Sequence, residues 1–134
     1  MLSIQRVATY SGALFILLGV LAFTPVGMPF MQMGPGSPML LGLFPVNALH
    51  NVVHMLFGVW GLIAGRNASR ATVYALGSGA AYLLLGVLGM FTNDVLGIVI
   101  GGYDVVLHLF LAVTLASLGC WALWSAPERE ALEA

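Results

Sequence analysis

Runs of apolar residues, broken at intervals by Gly, Pro or Arg, organise this chain. Four such runs lie near Val7–Phe23, Val46–Ala64, Ala71–Phe91 and Tyr103–Trp124. Each approaches the roughly 20 residues that a helix needs to cross ~30 Å of hydrocarbon. None alternates with the period of two of a barrel strand, and backbone polar groups cannot stay bare in lipid. The pattern predicts four membrane-spanning helices. The longer apolar stretch that contains the second run, Leu40–Gly65, carries Asn47, His50, Asn51 and His54 in its first half. His50 and His54 are four apart, so a helix stacks them on one face.

The runs also echo one another. Phe15-Ile-Leu-Leu-Gly-Val-Leu in the first returns as Tyr82-Leu-Leu-Leu-Gly-Val-Leu in the third, with Gly19 matching Gly86. Aligning His54 with His108 sets His50 over Asp104 and Leu49 over Tyr103. The pattern predicts one all-α domain over residues 1–134, an integral membrane four-helix bundle made by duplicating a helical hairpin. Two spans per copy give both copies the same orientation, with their pseudo-two-fold axis along the membrane normal. The first run has signal-peptide features: Arg6 precedes it and Val20-Leu21-Ala22 resembles a cleavage site. A cleaved leader has no reason to echo a mature helix, so it is read as a span.

Composition supports lipid as the surrounding medium. Hydrophobic residues are 60% and charged residues 7% of 134, against about 25% charged in a soluble domain. Mean hydropathy is +1.02. A net charge of −1 gives no footprint for nucleic acid. The single cysteine, Cys120, excludes dithiol redox chemistry within the chain. The only cations are Arg6, Arg66, Arg70 and Arg129. With four spans, all fall on one side, which predicts a cytoplasmic (inner) membrane protein with both termini cytoplasmic. Tyr10, Tyr74, Trp121 and Trp124 then form an inner aromatic belt. Gly58, Gly61, Gly65, the 77–81 run and Ala112-x-x-x-Ala116 are small enough for close helix approach. The outer stretches Leu40–Phe44 and Leu96–Ile100 are apolar enough to dip back toward the membrane.

The chemistry-bearing residues gather at the outer halves of spans two and four. If those spans face each other, His50, His54, His108 and Asp104 converge on a volume suited to a metal ion. Asn47, Asn51 and Tyr103 are placed to complete the hydrogen bonding around it. The same residues also suit an internal network in which Asp104 pairs with a histidine and locks the hairpins together. Both readings stay open at this point. A zinc or copper ion is the implied cofactor, and the thioethers Met31 and Met33, with Met28 and Met39 nearby, would favour Cu(I). Haem between His54 and His108, or a proton relay, ranks third, because haem propionates want cations and every arginine is on the far side. His50-Asn-Val-Val-His54 has the spacing of the zinc-protease HExxH motif, but Asn51 stands where the general-base glutamate belongs. A non-enzymatic role is expected ahead of an enzyme or electron carrier using haem. The expected partner is the lipid bilayer, and transport through so small a bundle would need a homo-oligomer.

LLGLFPVNALHNVVHMLFGVWGLIAGR, the Arg-flanked span with YLLLGVLG, and the segment with Asp104-x-x-x-His108 together resemble the bacterial four-span membrane proteins of domain-of-unknown-function family 4383. The resemblance covers nearly the whole chain and is sharpest at VNALHNVVH. In that family the second copy reads Asp-Asn-x-x-His, where this chain has Val105. It implies an integral membrane protein of about this length and brings no activity with it.

Overall fold

A computed structural model describes residues 3–24, the backbone of 31–33, and residues 38–125. Four α-helices dominate: α1 (Ile4–Leu21), α2 (Ala48–Ala64), α3 (Ala68–Gly89) and α4 (Tyr103–Trp124). Three of them, α1, α3 and α4, are long and apolar enough to cross a membrane; α2 is apolar and has 17 residues. Side-chain caps set where three of the helices begin. Ser3 accepts from the Arg6 amide, Asn47 from His50 and Asn67 from Arg70, each satisfying an amide that has no carbonyl one turn back. The cap at Ser3 starts α1 ahead of its apolar run, and Asn67 does the same for α3.

The α1–α2 and α3–α4 connections are more ordered than a Gly/Pro-rich composition suggests. Between α1 and α2, β1 (Met31–Met33), β2 (Pro38–Leu40) and β3 (Phe44–Pro45) pair antiparallel in that order. Between α3 and α4, β4 (Asp94–Val95) and β5 (Ile98–Val99) form a hairpin. Thus 40–44 and 96–100 belong to small hairpins. Leu96 and Gly97 at the second turn have φ of 55° and 84°, the two left-handed residues that a tight type I′ hairpin demands. Leu41 and Gly42 repeat this, at 55° and 68°.

Helix contacts follow the small residues. α1 packs chiefly on α2 and α3 on α4, with α3 also touching α1 and α2. At Gly12 an added Cβ would lie 2.7 Å from the Gly58 carbonyl oxygen and 2.8 Å from the Leu62 nitrogen. Both are backbone atoms and cannot turn aside, so only glycine permits this approach. In the other pair, Gly79 lies so close to α4 that a Cβ would sit 2.9 Å from the Ala116 nitrogen.

Burial recurs with the sequence echo. Adding 67 to the buried residues of α1 (Ile4, Ala8, Gly12, Phe15, Gly19) gives Ala71, Ala75, Gly79, Tyr82 and Gly86, all buried in α3. Adding 54 takes buried His50, Gly58 and Gly61 of α2 to Asp104, Ala112 and Leu115, all buried in α4. Val46 and Ile100, one turn ahead of these helices, are buried as well.

Candidate metal centre

The N-terminal turns of α2 and α4 bring the histidines together. Their backbones do not approach each other as α1 and α2 do; the imidazoles bridge the gap. One ring nitrogen from each of His50, His54 and His108 lies within 4.8 Å of the others. The His50 ring meets His54 at a centroid distance of 4.5 Å and His108 at 5.9 Å, edge-on in both cases. His50, Asp104 and His108 are each 2–3% exposed, at the scale of core residues.

Hydrogen bonds fix which face of two of the rings points inward. His50 Nδ1 lies 2.9 Å from the Val99 carbonyl oxygen on β5, and His108 Nδ1 lies 2.7 Å from the Asp104 carbonyl oxygen one turn back. A carbonyl only accepts, so each Nδ1 carries a proton, and in the neutral ring Nε2 keeps its lone pair. A histidine that binds a metal is oriented in the same way, by donating its other N–H to a carbonyl or carboxylate. The Asp104 carboxylate stands 3.4 Å from His108 Nδ1, behind that ring.

The third ring is held by stacking. His54 lies flat on Phe15, with 5.5 Å between centroids and 7° between planes. No group among the described residues hydrogen-bonds its ring. Tyr82, 67 residues after Phe15, sits against His108 at 5.3 Å, and Phe15 and Tyr82 touch each other at 5.7 Å. Each histidine that follows the second-helix pattern is therefore backed by the aromatic that opens the matching first-helix segment.

Two buried polar atoms here lack any hydrogen-bond partner: Asp104 Oδ2 and the Tyr82 hydroxyl. Buried groups of this kind are rare and commonly mark a water, an ion or a functional role.

The remaining sequence candidates fall in different places. Asn47 works from the backbone side: its Oδ1 caps His50, and its Nδ2 donates to the Gly97 carbonyl at 2.7 Å, tying α2 to the β4–β5 turn. Asn51 is buried where α2 meets Gly19 of α1. Tyr103 is 64% exposed and turns away from the cluster. Met31 and Met33 lie on β1, and their side chains, like Met28, fall outside the described residues. Phe15 and Tyr82 are site residues that reasoning from polar side chains passes over. Their signal was present, since they are the leading positions of the FILLGVL and YLLLGVL echo.

A family profile, domain of unknown function (DUF4383), matches residues 5–121. The chain belongs to the DUF4383 family. No curated protein and no solved structure matches it. The match runs from the first turn of α1 to the last turn of α4, so it takes in all three histidines and both hairpins of this DUF4383 chain.

Proposed function

We propose that this DUF4383 protein is a four-span membrane protein whose His50, His54 and His108 bind one zinc or copper ion near the outer face. The carrying observation is the set of three converging ring nitrogens, two of them on imidazoles whose Nδ1 protons are already committed to carbonyls. Neutral imidazoles with free lone pairs suit zinc and copper. A tetrahedral ion about 2.0–2.1 Å from each nitrogen holds them roughly 3.4 Å apart, so the site closes by about an ångström around it. Asp104 acts behind His108 as the carboxylate that orients it and raises its basicity.

A closed hydrogen-bond network among the same residues is the competing reading. It would join the Asp104 carboxylate to His108, 3.4 Å apart, and needs no ion. Haem fits less well. Phe15, Tyr82 and His50 fill the space around His54 and His108 that a porphyrin would need.

Several features support placement in the bilayer. Leu56, Leu84, Val106, Phe110 and Val113 are each at least 60% exposed, on helices with no charged residue in their middle turns. Soluble monomers rarely expose apolar surface so extensively. α2, about 25 Å long, comes close to the hydrocarbon thickness. Arg6, Arg66 and Arg70 sit at the end where Gly65 meets Gln5, opposite the histidines, which favours cytoplasmic termini and an outer site. Recurrence of the buried positions at 67 and 54 residues, with the same Leu-Gly turn ahead of α2 and α4, supports descent from a duplicated hairpin.

The test is elemental analysis of protein purified from membranes. One equivalent of zinc or copper is expected, reduced to background in His54→Ala while the variant still folds. A folded wild type that takes up neither ion overturns the proposal.

A further inference from the structure

A second site lies at the opposite end of the molecule, between α2 and α3. There a groove of about 180 Å³ is walled by Trp60, Ile63, Ala64 and Val73 and rimmed by Ser69 and Arg70. Its aromatic wall is fixed in place. Trp60 meets Tyr74 edge-on at 5.0 Å, and Gly77 makes room for the indole, since a Cβ there would lie 2.8 Å from the ring. Tyr74 is in turn held by its hydroxyl contact with Ser11, at 3.2 Å. A floating interfacial tryptophan would have none of this support.

Among the described residues, the charge around the groove has one sign. Arg70 is on its rim, and Arg66 and Arg6 lie at the same end. Ser69 and Arg70 belong to the first turn of α3, where the helix dipole adds positive potential. Among the described residues the carboxylates, Asp94 and Asp104, are at the other end. An apolar slot ending in a cationic rim is complementary to an amphiphile with an anionic head.

We propose that this groove binds an anionic glycerophospholipid, with its phosphate at Arg70 and the upper part of one acyl chain against Trp60 and Val73. Basic pockets between membrane helices on the cytoplasmic side recognise lipid headgroups by this combination. The proposal rests on the membrane reading, which incorporation of the protein into lipid nanodiscs tests separately. It is independent of the metal site.

The experiment uses the full chain in phosphatidylcholine nanodiscs, with either brominated phosphatidylglycerol or brominated phosphatidylcholine titrated over the same range of mole fractions. Subtracting the Trp60→Phe signal isolates quenching at Trp60 from that at Trp121 and Trp124. Brominated phosphatidylglycerol is expected to quench Trp60 at about fivefold lower mole fraction than brominated phosphatidylcholine, the preference conferred by one basic residue at an anionic surface. Arg70→Gln, an exposed substitution, is expected to abolish that preference, while Arg6→Gln outside the groove leaves it intact. Equal quenching by the two lipids overturns the proposal, as does a preference that survives Arg70→Gln. Relief of quenching by inorganic phosphate would assign the groove to a soluble anion and overturn the lipid assignment.

Discussion

Asp104→Asn separates the two roles that a carboxylate can play beside a metal. The substitution keeps the side chain's size and removes its charge. The stronger tether on His108, from Nδ1 to the Asp104 backbone carbonyl at 2.7 Å, does not involve the side chain and survives. The carboxylate oxygen 3.4 Å from the same nitrogen is lost as an anion, and with it part of the basicity of the imidazole. Removing such an orienting partner elsewhere costs 10–100-fold in affinity, about 1.4–2.7 kcal/mol. Removing a ligand costs far more, because the ion loses a bond outright. The assay is a competition titration of the detergent-purified protein against a chromophoric chelator, with wild type, Asp104→Asn and His54→Ala side by side. The expected order is wild type, then Asp104→Asn one to two decades weaker, then His54→Ala with no measurable binding. An Asp104→Asn variant as inert as His54→Ala would make Asp104 a direct ligand. One that binds like wild type would refute the orienting role.

Other consequences follow from the same geometry. Three imidazoles must be neutral to ligate, so affinity falls and protons are released once the pH is low enough to protonate them; calorimetry at successive pH values in two buffers of different ionisation enthalpy measures the number released. Gly12→Val pushes a side chain against the Gly58 and Leu62 backbone and should destabilise the α1–α2 pair by about 1–3 kcal/mol, read by resistance to unfolding in SDS. Gly97→Val puts a branched residue at φ 84°, and hydrogen exchange at 94–99 should quicken as the hairpin over His50 loosens. Tyr82→Phe removes a buried hydroxyl that has no partner, so the metal-free protein should be unchanged or more stable by about 1 kcal/mol in thermal unfolding.

Much of this arrangement can be read in the sequence because long apolar helices leave strong local signals. Apolar runs of helical length, Arg-bearing breaks and small residues at spacings of four depend on no distant contact. The pairing of His50 with His54 follows from their spacing alone, and the place of His108 follows from the echo between the second and fourth runs. What was not legible depends on long-range geometry. Asn47 looks like a companion of the imidazoles in sequence, yet its side chain is used at the helix cap and across to Gly97, 50 residues away. Tyr103 adjoins Asp104 in the chain, but consecutive helical positions point about 100° apart, and Tyr103 faces outward. The hairpins at 38–45 and 94–99 leave no sequence signal because their strands are two or three residues long, too short for alternation to register.

The central claim is that three imidazoles, and not sulfur or water alone, hold an ion inside the outer end of the molecule. X-ray absorption at the metal edge, on metal-loaded protein in nanodiscs, observes that shell directly. The expected spectrum has three imidazole scatterers at about 2.0–2.1 Å, with the outer-ring multiple scattering that imidazoles produce, lost in His108→Ala. A shell of oxygen neighbours alone, or one unchanged in His108→Ala, would contradict the account.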